Sequence, residues 1–114
     1  MDVAALFYRR RDVLGIRMDP RKARANLLKH SIGIAEATSV FSDPLAQIFD
    51  DEYHSADEPR EIIIGHSRER RLLLTCFTEA DTNRVRIVSG RRATRQELHA
   101  YEENAKNEGQ GEAG

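Results

Sequence analysis

The sequence of 114 residues contains one cysteine, no tryptophan and few other aromatic residues, which make up 6% of the chain. A lone cysteine can form neither an internal disulfide nor a cysteine-based metal site. Cys76 stands within an apolar run, so we expect a buried, reduced thiol. The four histidines show no metal-ligand spacing, and no metal or other cofactor is therefore expected.

Long hydrophobic runs are also missing. The apolar run at 3–8 is too short to span a membrane, and it precedes the basic run at 9–11, which reverses the order in a secretory signal. We therefore expect a soluble cytoplasmic protein that does not bind a membrane. The length suits one domain with one modest core, expected over 16–105. An N-terminal extension over 1–15 and a disordered tail over 106–114 are expected to flank it.

Charge is segregated along the chain, although the formal net charge is only −1. Residues 1–30 carry eight Lys/Arg against three Asp/Glu, and residues 31–60 carry one against seven. Residues 61–100 are again basic, with eight against five, and residues 101–114 are acidic, with one against four. Such segregation favours a basic functional face, so the near-neutral total does not exclude a polyanionic ligand.

The region from 84 to 95 holds the densest group of cations on predictable structure. Val85 and Ile87 alternate with Arg84 and Arg86, which predicts a strand with one face for the core and the other suited to an anion. The strand leads through a glycine into two further arginines and then into a helix. This junction is the first candidate for a functional site.

Three helices are predicted from their start signals. Asp19 and Pro20 form an N-cap followed by proline at the first helical position, and Gly33 can cap the second helix. Thr94 and Glu97 have the spacing of a capping box at the start of the third, which should end near residue 104. The side chains expected on the buried faces are Ala23, Leu27, Leu28 and His30, then Ile34, Ala37, Val40 and Phe41, then Leu98 and Tyr101.

Apolar segments separated by turn-rich loops predict the strands at 15–19, 45–49, 60–65, 71–77 and 84–89. The Ile62–Ile64 run indicates a central strand that is buried on both sides. Short loops between successive strands are typical of an antiparallel meander. We therefore predict an α+β domain: an antiparallel sheet of three to five strands, with an N-terminal helical hairpin and a C-terminal helix.

Several of these segments, in this order, resemble the BrnT family of bacterial toxins over roughly residues 16–103. The matching residues are Asp19-Pro20, Asn26–His30, Glu36-Ala37, Val40–Phe41, Asp43-Pro44, Arg60, Ile64-Gly65, Leu72–Leu74, Arg86–Thr94, Glu97 and Tyr101. At three positions the chain departs from the usual pattern. Met18 and Glu61 stand where aromatic residues are common, and Gly90 where alanine is usual, so two groups that could stack on bases are missing.

The resemblance implies a RelE-like fold and a ribonuclease toxin of a type II toxin-antitoxin system. It further implies that the toxin cleaves RNA, inhibits translation and is neutralised by a cognate BrnA-like antitoxin. The complex would bind operator DNA, chiefly through the antitoxin.

Metal-independent RNA cleavage needs cations around the phosphate, because negative charge builds on its oxygens as the 2′-hydroxyl attacks. Arginine suits this role, since its planar fork donates two hydrogen bonds to one phosphate. We expect Arg60, Arg86 and Arg91 to form such a clamp. Arg84 and Arg86 could instead pair with acidic residues on a neighbouring strand, and one of Arg91 and Arg92 could simply face solvent.

Histidine is the natural group for proton transfer, because its unperturbed pKa is about 6.5. His30 is the first candidate, with a core histidine as the alternative interpretation, and His66 is the second. His54 and His99 are expected in a loop and on a helix surface. The further residues expected to contact RNA are Lys22, Lys29, His66, Arg84 and Arg92, of which the two lysines could also be a solvated helix face.

Two functions of other classes stay open. The chain could be a non-catalytic nucleic-acid or partner-binding module that acts within a repressor complex. It could also be a small homodimeric protein whose oppositely charged halves pair with each other.

Overall fold

The computed structural model of the chain describes residues 15–51, 59–81 and 84–113. The elements, in chain order, are β1 (Gly15–Met18), α1 (Pro20–His30), α2 (Ile34–Ser39), a 3-10 turn (Val40–Ser42), β2 (Gln47–Asp50), β3 (Glu61–His66), β4 (Leu72–Asp81), β5 (Arg84–Arg92) and α3 (Arg95–Ala113). The α+β class and the five strands agree with the prediction. No helix formed by the described residues is long and apolar enough to cross a membrane.

The strands form one mixed sheet in the order β1-β5-β4-β3-β2. The pairings β2–β3, β3–β4 and β4–β5 are antiparallel, whereas β1 lies parallel to β5. The prediction of an antiparallel sheet was therefore wrong for β1. Short loops determine the direction of strands that follow each other, but β1 and its partner are separated by most of the domain. As a result β5 is an inner strand.

α1 begins as predicted, with Asp19 as its N-cap. The Asp19 carboxylate accepts a hydrogen bond from the Arg21 amide at 2.8 Å. The predicted buried face of this helix was wrong for Leu27 and Leu28, which are 52% and 81% exposed, whereas Ala23 is partly buried and packs against the core as predicted. The side chain of α1 that is buried is Asn26.

Asn26 is buried because it completes the sheet. Its amide nitrogen donates to the carbonyl oxygens of Gly90 at 2.8 Å and Ile32 at 2.9 Å, and its amide oxygen accepts from the Gly90 amide at 3.0 Å. β1 pairs with β5 only as far as Ile87. The Asn26 side chain therefore provides the hydrogen bonds that a neighbouring strand would otherwise give to β5.

α2 packs against β4 and β5. Ala37 and Phe41 are buried as predicted, but Ile34 is 38% exposed and lies outside the core. A Cβ atom at Gly90 would come within 3.0 Å of Cβ of Ala37. The glycine in this strand therefore permits a close approach of α2 to the sheet.

The core lies between the sheet and the two helices α1 and α2, which pack on one face of the sheet. Phe41 and Phe77 meet edge to face with ring centroids 5.1 Å apart. The residues of this core are Met18, Ile32, Ala37, Val40, Phe41, Ala46, Ile63, Leu73, Phe77, Val85 and Ile87. β3, which contains the isoleucine run, is an inner strand, but the central position predicted for it belongs to β4.

α3 lies on the opposite face of the sheet. Tyr101 is buried as predicted and donates from its hydroxyl to the Leu45 carbonyl oxygen at 3.3 Å, but Leu98 is 37% exposed. The helix continues past its predicted end near Asn104 to Ala113, and so enters the segment expected to be a disordered tail. The proposed domain boundaries stay predictions.

Candidate functional site

The local geometry of β5 depends on one extra residue. Cys76 of β4 pairs with Ser89, and the next residue, Phe77, pairs with Ile87. Val88 is therefore left without a partner in the ladder, and β5 contains a β-bulge at this position.

The bulge changes which side chains share a face. Before it, Arg84 and Arg86 are exposed, while Val85 and Ile87, which alternate with them, are buried. After it, Gly90 faces the core, so Arg91 lies on the other side of the sheet. Strict alternation would have placed Arg91 with the buried side chains. The bulge instead brings Arg91 to the face that carries Arg84 and Arg86.

A cavity of about 260 Å³ opens on this face beside α3. Its lining residues are Asp51, Arg60, Ile62, Leu74, Cys76, Val88, Ser89 and Arg91. Arg60 reaches it from the start of β3, where its carbonyl oxygen accepts a hydrogen bond from the Asp51 amide at 2.8 Å. Among the described residues, two guanidinium groups and one carboxylate thus line the same cavity, together with the apolar side chains of Ile62, Leu74 and Val88.

Arg91 is held at the cavity by Glu97. Nη1 donates to Oε1 and Nη2 donates to Oε2, both at 2.8 Å. The hydrogen bonds from Arg91 lower the pKa of the Glu97 carboxyl to about 2, and those from Thr94 contribute in the same direction. The same pair raises the pKa of Arg91. Both groups are therefore fully ionised at neutral pH.

The Cys76 thiol lies on the cavity floor, with Sγ 3.8 Å from Oδ2 of Asp51. Burial raises the pKa of this thiol to about 11, and the neighbouring carboxylate adds to the effect. The positive charges of Arg60 and Lys22 oppose the shift but do not cancel it. Cys76 is therefore a protonated thiol at neutral pH, and not an activated nucleophile.

The predicted cationic residues divide between the two faces. Arg60 and Arg91 line the cavity, and Arg86 is exposed on the same face of β5 without lining it. Arg92 pairs with the buried Leu73, so it lies on the opposite face. Arg92 is close enough to Glu36 for its charge to contribute to the lowered pKa of that carboxyl, which depends mainly on the hydrogen bonds from Arg71.

The two predicted lysines lie on α1. Lys22 is exposed in the first turn, and its charge acts on the Cys76 thiol of the cavity. Lys29 is exposed in the last turn, next to His30, which is half-buried. Neither Lys29 nor His30 is among the described residues that line the cavity.

His66 lies in a different cleft, of about 660 Å³, beside the 3-10 turn. Its Nδ1 is 3.7 Å from Oδ2 of Asp43, and its ring centroid is 5.7 Å from that of Tyr101. His99 is exposed on α3, as predicted, and His54 lies outside the described residues. No group of three or more His, Cys, Asp or Glu side chains in the described ranges is placed to hold a metal ion.

Sequence reasoning missed the residues that complete the cavity. Asp51 was not among the candidate site residues, yet its side chain is a buried carboxylate, 8% exposed. Ser89 and Val88 line the cavity because of the bulge, which has no sequence signal here. Glu97 was predicted only as a helix cap. Its spacing of six residues from Arg91 was visible, but nothing in the pattern showed that the two would meet.

The comparisons with known proteins agree with this fold. A family model described as "Ribonuclease toxin, BrnT, of type II toxin-antitoxin system" matches residues 18–97. A search of the curated proteins gave no match. Among solved structures, the chain is similar to the 1.1 Å crystal structure of the Brucella abortus ribonuclease toxin BrnT, with 23% identity and a TM-score of 0.56. That alignment covers 71% of this chain and 97% of the Brucella chain, and at this identity it concerns the fold.

Proposed function

Because the chain belongs to the BrnT family of ribonuclease toxins of type II toxin-antitoxin systems, we propose that it is a metal-independent endoribonuclease. It would cleave RNA and thereby inhibit translation. Membership of such a system implies an antitoxin as partner. We further propose that this antitoxin is BrnA-like, that operator DNA is bound only through the complex, and that the fold is RelE-like.

The observation that carries the proposal is the meeting of Arg60 and Arg91 at one cavity, although they are far apart in the sequence. When the 2′-hydroxyl of RNA attacks the adjacent phosphorus, negative charge builds on the phosphate oxygens until the 5′-oxygen leaves. Two fixed guanidinium groups stabilise that charge more in the transition state than in the ground state. Arg86 and Arg84, on the same face of β5, would extend the cationic surface along the RNA backbone.

The test compares neighbouring arginines on opposite faces. Purified protein is incubated with RNA in excess EDTA, and cleavage is followed for the wild type and for Arg60→Ala, Arg91→Ala and Arg92→Ala. We expect the first two variants to lose about 10²–10³-fold in rate, as when one oxyanion donor is removed, and Arg92→Ala to cleave normally. Equal losses in all three variants would refute the assignment of the cavity. If the wild type does not cleave RNA, the proposed ribonuclease activity is refuted.

Proton transfer requires a separate test, because His30 does not line the cavity. We propose His30 as the acid or base, with His66 as the second candidate. Loss of a general acid or base lowers the rate by about 10²–10⁴-fold. His30→Ala should therefore cleave far more slowly than His99→Ala, which changes an exposed histidine of α3. Normal cleavage by His30→Ala would transfer the role to His66 or to another group.

One observation favours the alternative of a non-catalytic binding module. The described residues that line the cavity include no histidine, and Cys76 is protonated at neutral pH. A binding module would bind RNA or DNA with an affinity that falls steeply with salt, and would give no products at any salt concentration. Gel analysis of the same binding reactions after prolonged incubation distinguishes the two functions.

The proposed partner is testable in cells. Expression of the chain alone should arrest growth and degrade RNA, and expression together with the adjacent reading frame should restore both. The Arg91→Ala variant serves as the matched control, since it should permit growth without the second gene. Growth arrest by this variant would show that toxicity does not depend on the cavity.

A further inference from the structure

In the Arg91–Glu97 pair, the Glu97 carboxylate faces the terminal edge of the guanidinium group, which is formed by Nη1 and Nη2. Glu97 accepts from Nη1 and Nη2 of Arg91, and Nη1 also donates to the Arg92 carbonyl oxygen at 3.2 Å. A guanidinium group has a second edge, formed by Nε–H and the other N–H of Nη2, which can also bind an oxyanion by two hydrogen bonds. Among the described residues, this second edge of Arg91 has no hydrogen-bond partner.

Glu97 approaches Arg91 from outside the cavity. Arg91 lines the cavity, whereas Glu97 lines the neighbouring groove, which runs between α3 and the sheet and contains Ala100 and Tyr101. The carboxylate therefore occupies the end of the guanidinium group on the α3 side. The second edge lies outside the pair, and none of the described residues forms a hydrogen bond to it.

The Glu97 carboxylate is itself fixed by the start of α3. Its Oε1 accepts a hydrogen bond from the Thr94 amide at 2.8 Å, and the Glu97 amide donates to the Thr94 hydroxyl at 3.1 Å. This is the capping box expected from the sequence. The side chain that caps α3 is thus the same one that holds the cavity arginine.

We propose that Glu97 is a positioning residue, which holds Arg91 so that the Nε edge receives a phosphate of RNA by two hydrogen bonds. The inference rests on the proposed function and extends it to a residue that does not touch the substrate. Without Glu97, the long Arg91 side chain would sample several rotamers, and the two bonds would no longer form together. A misplacement of about 1 Å can reduce a rate by about 10²-fold.

The decisive variant is Glu97→Gln. Glutamine keeps an oxygen acceptor for the Thr94 amide, as in capping boxes that contain Gln, but replaces one acceptor for Arg91 with a donor. Thr94→Ala is the matched control, because it removes the other half of the cap and leaves the Arg91–Glu97 pair intact. A merely structural role of Glu97 at the start of α3 predicts equal losses of cleavage in the two variants.

Two measurements keep this inference separate from the proposed function. Single-turnover cleavage of a labelled RNA should slow by about 10-fold to 10²-fold in Glu97→Gln, with little change in Thr94→Ala. Independently, the ¹H–¹⁵N resonance of Arg91 Nε should shift when inorganic phosphate is added to the wild type, and the shift should be much smaller in Glu97→Gln.

The outcomes are distinct. If the wild type does not cleave RNA, the proposed function fails, while the Nε resonance still decides the role of Glu97. An Nε resonance that phosphate does not move in the wild type would overturn the inference. Cleavage by Glu97→Gln at the wild-type rate would also overturn it, and so would equal losses in Glu97→Gln and Thr94→Ala.

Discussion

Two arginine–glutamate pairs with the same chemistry occupy different parts of this domain. Glu36 of α2 pairs with Arg71, which directly precedes β4, and Glu97 of α3 pairs with Arg91 near the end of β5. The Glu36 side chain is 8% exposed and also accepts a hydrogen bond from the Ser67 hydroxyl at 2.7 Å. The Glu97 side chain is 30% exposed and lies beside a cavity.

The pairs differ in the edge of the arginine that they use. Arg71 donates from Nε, at 2.8 Å, and from Nη2, so its side edge is closed by Glu36. Arg91 donates from Nη1 and Nη2, and its side edge lies outside the pair. The Glu36–Arg71 pair therefore connects α2 to the turn between β3 and β4, whereas the Glu97–Arg91 pair orients the Arg91 guanidinium group. The edge that is engaged, more than the presence of an ion pair, separates a structural arginine from a candidate functional one.

The largest expected contrast is in catalysis. Arg91→Lys keeps the charge but loses the planar fork, so we expect cleavage to fall by about 10²-fold. Arg71→Lys should cleave at about the wild-type rate per folded molecule, since Arg71 does not line the cavity. Single-turnover rates, normalised to the folded fraction by circular dichroism, provide the measurement. Equal losses in the two variants would remove the distinction between the pairs.

For the free energy of unfolding, we expect the larger effect at the Glu36–Arg71 pair and the smaller effect at the Glu97–Arg91 pair. Glu36→Gln breaks a buried pair and should lower the free energy of unfolding by about 1–3 kcal/mol. Glu97→Gln changes a more exposed pair and should lower it by less than about 1 kcal/mol. Urea denaturation measures both, with Glu69→Gln, an exposed partner of Arg68 at 3.8 Å, as the control without effect. A larger loss in Glu97→Gln than in Glu36→Gln would contradict the structural role of the Glu36–Arg71 pair.

The pairs also predict a loss of stability in acid. The hydrogen bonds from each arginine hold the pKa of the Glu36 and Glu97 carboxyls below the ordinary value of 4.5, to about 2 for Glu97. A carboxyl with a lowered folded pKa stabilises the fold above its unfolded pKa, and this contribution is lost as the pH falls through the folded value. The Tm should therefore fall from about pH 5 to about pH 2. In each Glu→Gln variant the Tm should fall less over this pH range than in the wild type. If the variants and the wild type show the same dependence of Tm on pH, the pairs do not contribute to stability in this way.

Much of the fold could be predicted, because the signals were local. The N-cap at Asp19, the capping box of Thr94 and Glu97, and the alternation of Val85 and Ile87 in β5 depend on residues close in sequence, and the structure confirms them. The parallel pairing of β1 was not predicted, because no local signal specifies it. Nor was the burial of Asn26, which follows from the unpaired edge of β5.

The candidate site was predicted in part. Arg60 and Arg91 were named from residue type and from the resemblance, and they do line one cavity. That Arg91 reaches this face depends on the bulge at Val88, which is a property of the pairing with β4. Arg91 is held in place, in turn, by its two hydrogen bonds to Glu97. Alternation along one strand indicates neither feature.

The smallest effect should appear in the salt dependence of RNA binding. Each phosphate contact with single-stranded RNA contributes about 0.7 to the slope of log K against log salt concentration, because binding releases counterions. Among the described residues nothing is hydrogen-bonded to the side edge of Arg91, which can bind one phosphate. Arg91→Ala should therefore reduce the slope by about 0.7. Arg71→Ala should leave it unchanged, because Glu36 closes the corresponding edge of Arg71. Fluorescence anisotropy of a labelled RNA, titrated at several salt concentrations, measures both slopes. A reduced slope in Arg71→Ala would show that an arginine paired in this way still binds phosphate, and the distinction between the two pairs would fail.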